Sequence, residues 1–203
     1  MVLFLTGRRT AKFVVPVALA LAVQCAHVAA PLAQDSAESI CSTSLDKTYE
    51  DVGSSDILTA CRTALEHQPG DTTFMAALGR SLLSSGDDAG GFPLIKDAAE
   101  KGNARAEHLM GAIYFNGVGR AKDVEEAAKW YARAADKGLA SSQYALGFLL
   151  SLGDGVEKDE VAAVEWFKKS AEQGNVEAQD ALGTSYFWGI GTDKDPAQAA
   201  FWY

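Results

Sequence analysis

The sequence predicts an all-α fold, a right-handed α-solenoid of stacked antiparallel helix pairs. Three features of the second half of the chain lead to this prediction. Distinctive residues recur every 36 positions, each interval contains two stretches of helical apolar spacing, and glycines separate the two stretches. Repeats with a period of about 20 to 50 residues are typical of solenoids, because each unit buries its apolar face only by stacking on its neighbours.

Four independent features keep the 36-residue interval. They are an aromatic pair beginning with tryptophan, a pair ending in glycine, a Lys-Asp pair and a single glycine. The positions are Trp130-Tyr131, Trp166-Phe167 and Trp202-Tyr203; Met110-Gly111, Leu146-Gly147 and Leu182-Gly183; Lys122-Asp123, Lys158-Asp159 and Lys194-Asp195; and Gly102, Gly138 and Gly174. One shared register predicts three units in residues 102–203, which are 102–137, 138–173 and a truncated 174–203.

Each unit is predicted to contain two short helices. In the first unit, apolar residues at helical spacing predict a helix from about Ala104 to Phe115. Gly117 and Gly119 then favour a loop, because glycine enters left-handed backbone conformations at low cost. Asp123 is predicted to cap the second helix, with Glu126 completing a capping box.

Glycine also recurs inside the first helix of each unit. Such a glycine costs about 1 kcal/mol, so its recurrence predicts a close approach of the two helices. The glycines are Gly111, Gly147 and Gly183, and the small residues expected opposite them are Ala127, Ala163 and Ala199. The tryptophan pairs are predicted to be core, and Trp166, in the middle unit, is expected to contribute most to stability.

The repeat closely resembles the Sel-one-like repeat (SLR), a relative of the tetratricopeptide repeat. The resemblance is carried by Ala-x-x-x-Leu-Gly-x-x-Tyr-x-x-Gly-x-Gly, then Lys-Asp, Ala, Trp-Tyr, Ala-Ala and Gly, over residues 102–203. Leu150 and Phe167 are mild departures from two tyrosines of the pattern. The resemblance implies protein–protein adaptor work, often in cell-envelope, signalling or host-contact settings.

Residues 35–101 are predicted to form an amino-terminal capping region with degenerate tetratricopeptide-like helices. Leu78-Gly79 matches Met110-Gly111 at an interval of 32 residues, because the glycine-rich loop is missing. The other end of the array differs, since the chain stops at Tyr203 within the second helix of a unit. Arrays need terminal caps, so we expect either a truncated product or a partner that covers this end.

Residues 1–34 are predicted to be a secretory signal peptide of an exported, periplasmic or secreted protein. Arg8, Arg9 and Lys12 precede a short apolar stretch and an alanine-rich segment, which is the layout of such signals. An uncleaved membrane anchor and a lipoprotein site at Cys25 are the alternatives. Cleavage leaves 15 basic and 27 acidic residues, a net charge of −12.

Cleavage also leaves Cys41 and Cys61 as an even pair. In an oxidising compartment such a pair is predicted to form a disulfide, and the alternative is two separate buried thiols. The disulfide would tie the segment at Cys41 onto the array. In the chain-entropy description, closing the loop of about 20 residues between Cys41 and Cys61 stabilises the fold by about 3 kcal/mol.

Charge and motifs exclude several classes of function. A net charge of −9 argues against nucleic-acid binding and against adhesion to anionic membranes. The histidines and cysteines lack metal-ligand spacing, and there is no catalytic motif, so we expect no metal, no cofactor and no catalytic residue. The sequence predicts a non-enzymatic scaffold that binds another protein. The alternative is a cell-envelope enzyme, or the targeting arm of one, acting on peptidoglycan or β-lactams.

The partner is expected to bind a strip along the first helices. At about 100° per residue, the side opposite the apolar stripe falls at nine residues. They are His108, Ala112, Phe115, Tyr144, Phe148, Ser151, Asp180, Thr184 and Phe187. Aromatic residues are preferred interface anchors, so the candidate binding residues are Phe115, Tyr144, Phe148 and Phe187, with His108. The alternative is that crowding between units buries them.

Overall fold

The computed structural model describes residues 36–46 and 52–203, and the regular elements in these residues are helical. Residues 36–43 are helical and lead into a 3-10 turn, Ser44–Asp46. The α-helices that follow are α1 Ser55–His67, α2 Thr72–Ser84, α3 Asp88–Glu100, α4 Ala104–Asn116, α5 Val124–Asp136, α6 Ala140–Leu152, α7 Glu160–Ala171, α8 Val176–Trp188 and α9 Pro196–Trp202. The prediction of an all-α solenoid is confirmed. The predicted signal, residues 1–34, lies outside the described residues.

Consecutive helices pack in antiparallel pairs that stack on one another. The closest pairs are α2 with α3, α4 with α5, α6 with α7 and α8 with α9, and each pair also packs on the next. Every unit therefore contributes a first helix (α2, α4, α6 or α8) and a second helix (α3, α5, α7 or α9). The core is a chain of small clusters, each shared by neighbouring pairs.

Local sequence explains where the second helices begin. The Asp123 carboxylate accepts a hydrogen bond from the backbone N–H of Glu126 at 3.0 Å, as an N-cap does. The predicted capping box is not formed, because the N–H of Asp123 donates to the carbonyl of Tyr114 at 2.9 Å. That bond holds the end of the glycine loop against the preceding helix. Asp159 and Asp195 repeat this arrangement in the later units.

The glycine inside each first helix admits an aromatic ring. A Cβ added at Gly111 would lie 2.6 Å from the ring of Tyr131, and one at Gly147 would lie 2.9 Å from the ring of Phe167. The close approach is as predicted, but its partner is chiefly the second residue of the aromatic pair. At Gly147 the expected partner Ala163 is also close, because its carbonyl oxygen lies 3.1 Å from the added Cβ.

The second glycine of each loop joins successive units. Gly155 has a φ of +72°, and a Cβ there would lie 2.6 Å from the carbonyl of Val124, at the start of the preceding unit's second helix. Gly119 occupies the equivalent position, but there a Cβ would lie 2.8 Å from a carboxylate oxygen of Asp88, the first residue of α3. The glycine loop of the first full unit therefore also contacts the degenerate pair α2–α3, through a side chain instead of the backbone.

The segment before α1 is attached by a disulfide. Cys41 and Cys61 are joined, with their Cα atoms 4.8 Å apart and both side chains buried. The Arg80 Nη1 donates to the carbonyl oxygens of Ser44 and Leu45 at 3.1 and 2.8 Å. Both contacts hold residues 36–46 against α1 and α2.

The tryptophans differ in burial. Trp130 is 8% exposed and belongs to the core, whereas Trp166 is only partly buried, against the cluster around Tyr131. Trp130, and not Trp166, is therefore the tryptophan on which the packing depends most.

Candidate protein-binding groove

Two hollows lie between the first helices α4 and α6. The apolar hollow has a volume of about 220 Å³ and lies toward the C-terminal ends of these helices; it is lined by Phe115, Tyr131, Tyr144, Ala145, Phe148 and Leu149. The basic hollow has a volume of about 260 Å³ and lies toward their N-terminal ends; it is lined by Leu45, Arg80, Arg105, His108, Leu109, Leu139 and Ser141. We call the two hollows together the groove.

The apolar hollow is built from aromatic rings on three helices. Phe115 stands on the last turn of α4, and Tyr144 and Phe148 stand one turn apart on α6, with their ring centroids 6.2 Å apart. Tyr131 comes from α5, and its ring can lie against α4 because Gly111 has no side chain. The glycine of the repeat therefore helps to shape the hollow.

Both tyrosines of the hollow stay neutral at physiological pH. Burial raises the pKa of Tyr131 to about 12. Burial also raises the pKa of Tyr144, with smaller contributions from the negative charges of Glu177 and Asp180. Phe148 is nevertheless 39% exposed, so an apolar surface is open to solvent.

His108 separates the two hollows. Its Nδ1 lies 2.8 Å from the Oγ of Ser142, and its ring centroid lies 5.4 Å from that of Tyr131. Burial, and then the positive charge of Arg80, lowers the pKa of His108 to about 4. The imidazole is therefore neutral at pH 7, and the positive charge of the basic hollow comes from Arg80 and Arg105.

The structure gathers four of the five predicted binding residues in the groove. Phe115, Tyr144 and Phe148 line the apolar hollow, and His108 lines the basic one. Phe187 lines neither hollow; its ring packs edge to face on Trp188, with centroids 4.8 Å apart. Tyr144 and Phe115 are partly buried, so the predicted open strip is in part an interface between units.

The sequence pattern did not point to the two arginines. Arg105 lies three residues before His108 and so on the same face of α4, and this spacing could have included it. Arg80 belongs to the degenerate unit and reaches the hollow only through folding. Within residues 36–46 and 52–203, no cluster of histidine, cysteine, aspartate and glutamate could hold a metal ion.

Comparison with known proteins agrees with this architecture. The Sel1 repeat matches residues 104–139, 140–175 and 176–203. The chain belongs to the Sel1-repeat proteins. The matched repeats begin two residues after the predicted unit boundaries at 102, 138 and 174.

Two solved structures are similar to this Sel1-repeat protein. One is a protective antigen present in uropathogenic Escherichia coli strains that displays an SLR fold; it is 30% identical, with a TM-score of 0.65, over 72% of this chain and 32% of that one. The other is a Sel1 repeat protein from Oxalobacter formigenes, 29% identical with a TM-score of 0.64, over 72% of this chain and 43% of that one. The chain thus spans less than half the length of either. No protein with a curated function matches it.

Sel1-repeat proteins generally act in protein–protein interaction and are typically non-catalytic scaffolds. None of the helices in the described part of this chain is long and apolar enough to cross a membrane.

Proposed function

We propose that the chain is an exported, non-enzymatic scaffold that holds a protein partner in the groove between α4 and α6. The observation that carries this proposal is the apolar hollow, in which Phe148 is 39% exposed beside Phe115 and Tyr144. Aromatic side chains in a concave surface are preferred anchors for a protein partner.

The size of the hollow favours a side chain over a small-molecule ligand. Sites for drug-sized molecules usually measure about 300 to 1,000 Å³. The apolar hollow measures about 220 Å³ and its lining is mainly apolar. It therefore suits one bulky apolar side chain that projects from a protein.

The disulfide supports export. Structural disulfides persist in oxidising compartments and are rare in the cytosol. Cys41 and Cys61 are joined and buried, and Cys41 lies in the segment that follows the predicted signal peptide. One of the similar structures is a protective antigen, which is in line with a location outside the cytosol. Amino-terminal sequencing of the protein from its host should find a start near residue 35, and a start at Met1 would contradict export.

Capture of a partner tests the scaffold. The chain without its leader is immobilised and exposed to an extract of the host cell envelope. The wild type should retain a protein that the double variant Tyr144→Ala, Phe148→Ala loses while it remains folded by circular dichroism. Phe201→Ala is the matched control, because Phe201 is 73% exposed and lies outside the groove. Equal capture by the double variant would contradict binding in the groove.

A further inference from the structure

The apolar hollow has opposite charges on its two sides. On the α4 side, the Lys122 Nζ lies over the ring of Phe115, 4.9 Å from its centroid. On the α8 side, Glu177 and Asp180 lie near Tyr144, because their negative charges add to burial in raising the pKa of Tyr144. Tyr144 also lines the hollow, so a partner there meets a positive charge toward α4 and two negative charges toward α8.

The two carboxylates on α8 are accessible to a partner. Glu177 and Asp180 are both exposed, and they lie three residues apart, on one face of the first turns of α8. Neither is ion-paired with a cation of the described residues. A basic side chain of a partner can therefore approach both carboxylates without displacing a cation of the chain.

The chain's own segment before α1 lies at the other side of the groove. Leu45, from this segment, lines the basic hollow. The Arg80 Nη1 donates to the carbonyl oxygens of Ser44 and Leu45 at 3.1 and 2.8 Å, and the disulfide at Cys41 holds the same segment. A partner that fills the apolar hollow therefore finds the α2 side taken by the chain itself.

We propose that the groove binds a segment of the partner in which a lysine or arginine stands near a bulky apolar residue. The apolar side chain enters the apolar hollow, and the basic side chain passes Tyr144 and meets Glu177 and Asp180 on α8. An extended chain advances about 3.3 Å per residue, so we expect the two side chains to stand about two to five residues apart. This inference rests on the proposed function and adds to it the chemistry of the partner.

Charge complementarity selects this occupant. Ammonium and guanidinium groups form charge-assisted hydrogen bonds with carboxylates, and these are about twice as strong as neutral ones. Lys122 repels a basic residue on the α4 side, which directs that residue toward α8. The net charge of −9 also attracts a basic segment from a distance. An acidic residue in the same place would be repelled by both carboxylates of α8.

Peptide display tests the proposal. A library of short random segments, displayed within a loop so that neither chain end is free, is selected on the same immobilised protein as above. The expected consensus is a lysine or arginine about two to five positions from a bulky apolar residue. An apolar consensus without a basic residue, or with an acidic one, would overturn this inference and leave the proposed function standing. No enrichment at all would contradict both.

Variants of the two carboxylates then locate the contact. A selected peptide with blocked ends is measured by fluorescence anisotropy. Its affinity should fall about fivefold with the double variant Glu177→Gln, Asp180→Asn, as the loss of exposed ion pairs predicts. The charge-matched control is Glu165→Gln, Glu172→Gln, because both side chains are exposed and neither lines the groove, and it should bind normally. Equal losses in the two double variants would mean general attraction by an acidic chain and would overturn the inference.

The peptide itself supplies a second test. Its affinity for the wild type should fall to the same degree when its lysine or arginine is replaced by glutamine. An unchanged affinity overturns the inference even if the carboxylate variant fails to fold.

Phe148→Ser separates the two failures. If this variant binds the peptide as the wild type does, the groove is not the binding site and the proposed function is wrong. If it loses the peptide while the double variant at Glu177 and Asp180 retains it, the groove binds only the apolar side chain and this inference is wrong. Loss in both, with affinity falling as NaCl rises, supports the inference.

Discussion

The first two full repeats share one backbone but join their helices with different chemistry. In the repeat at residues 104–139, Glu107 is fully buried, and its carboxylate lies 2.9 Å from Arg133 Nη2 and 2.8 Å from Lys137 Nζ. The equivalent residues of the next repeat are Gln143, Lys169 and Gln173. There the Gln173 Nε2 donates to the Gln143 Oε1 at 2.7 Å.

The difference shows what this position requires. Gln143 also donates from Nε2 to the carbonyl of Ala135 at 3.3 Å, at the end of the preceding second helix. A buried polar side chain is tolerated there if its partners match it, either as an ionic cluster or as a pair of amides. The repeat therefore requires a polar contact between helices at this position, here called the joint. This contact can be either charged or neutral.

The largest expected effect comes from the tryptophans of the two repeats. Trp130→Ala should lower the free energy of unfolding by about 3–5 kcal/mol, because Trp130 is buried in the core. Trp166→Ala should cost about 1–3 kcal/mol, because part of its ring already faces water. Urea unfolding measures both, and Trp188→Ala, on a residue that is 65% exposed, is the control. A larger loss of unfolding free energy for Trp166→Ala than for Trp130→Ala would contradict this prediction.

Removal of the cations should reveal the buried charge. Arg133→Gln with Lys137→Gln should cost about 3 kcal/mol, because Glu107 then stays buried without a counter-charge. Adding Glu107→Gln to this variant should restore most of the loss, since positions 107 and 137 then carry the two amides that Gln143 and Gln173 carry in the second repeat. Chemical unfolding at pH 7 compares the three proteins. No recovery in the triple variant would mean that the joint depends on the ionic geometry itself.

Acid should weaken the first repeat through His108. The pKa of His108 is 6.5 ordinarily and about 4 in the folded protein. Between pH 4 and pH 6.5 the unfolded chain therefore binds a proton at His108 that the folded chain does not bind. Stability must therefore fall as the pH drops from 6.5 to 4, and the contribution of His108 is about 3 kcal/mol. Thermal melts should show a shallower decline over this window in His108→Asn than in the wild type. Parallel declines would contradict the burial of a neutral imidazole.

The amide joint should contribute least. Gln173→Ala removes one neutral hydrogen bond to Gln143, so its expected cost is about 1 kcal/mol. Chemical unfolding measures it beside the cation variants of the first repeat. A cost as large as that of the Arg133 and Lys137 double variant would mean that the two joints are equivalent in energy.

The sequence by itself determined the repeat, the helix ends and the pair of cysteines. Each of these depends on local chemistry: Asp123 caps its helix within three residues, and Gly138 follows the helix with a φ of +88°. Cys41 and Cys61 are the two cysteines that follow the predicted signal peptide. Such features are read over a few residues, or from a fixed interval, without knowledge of the packing.

Tertiary structure alone decided which side chains meet. Helical periodicity assigns a residue to a face, but it gives neither the distance between units nor the reach of a side chain. Phe187 shares the predicted face with Phe148 and yet packs on Trp188, while Arg80 enters the groove from another unit. The periodicity also marks Glu107 as an ordinary polar position of a helix. Its complete burial depends on two cations from α5 and beyond, and only the packed structure brings them to it.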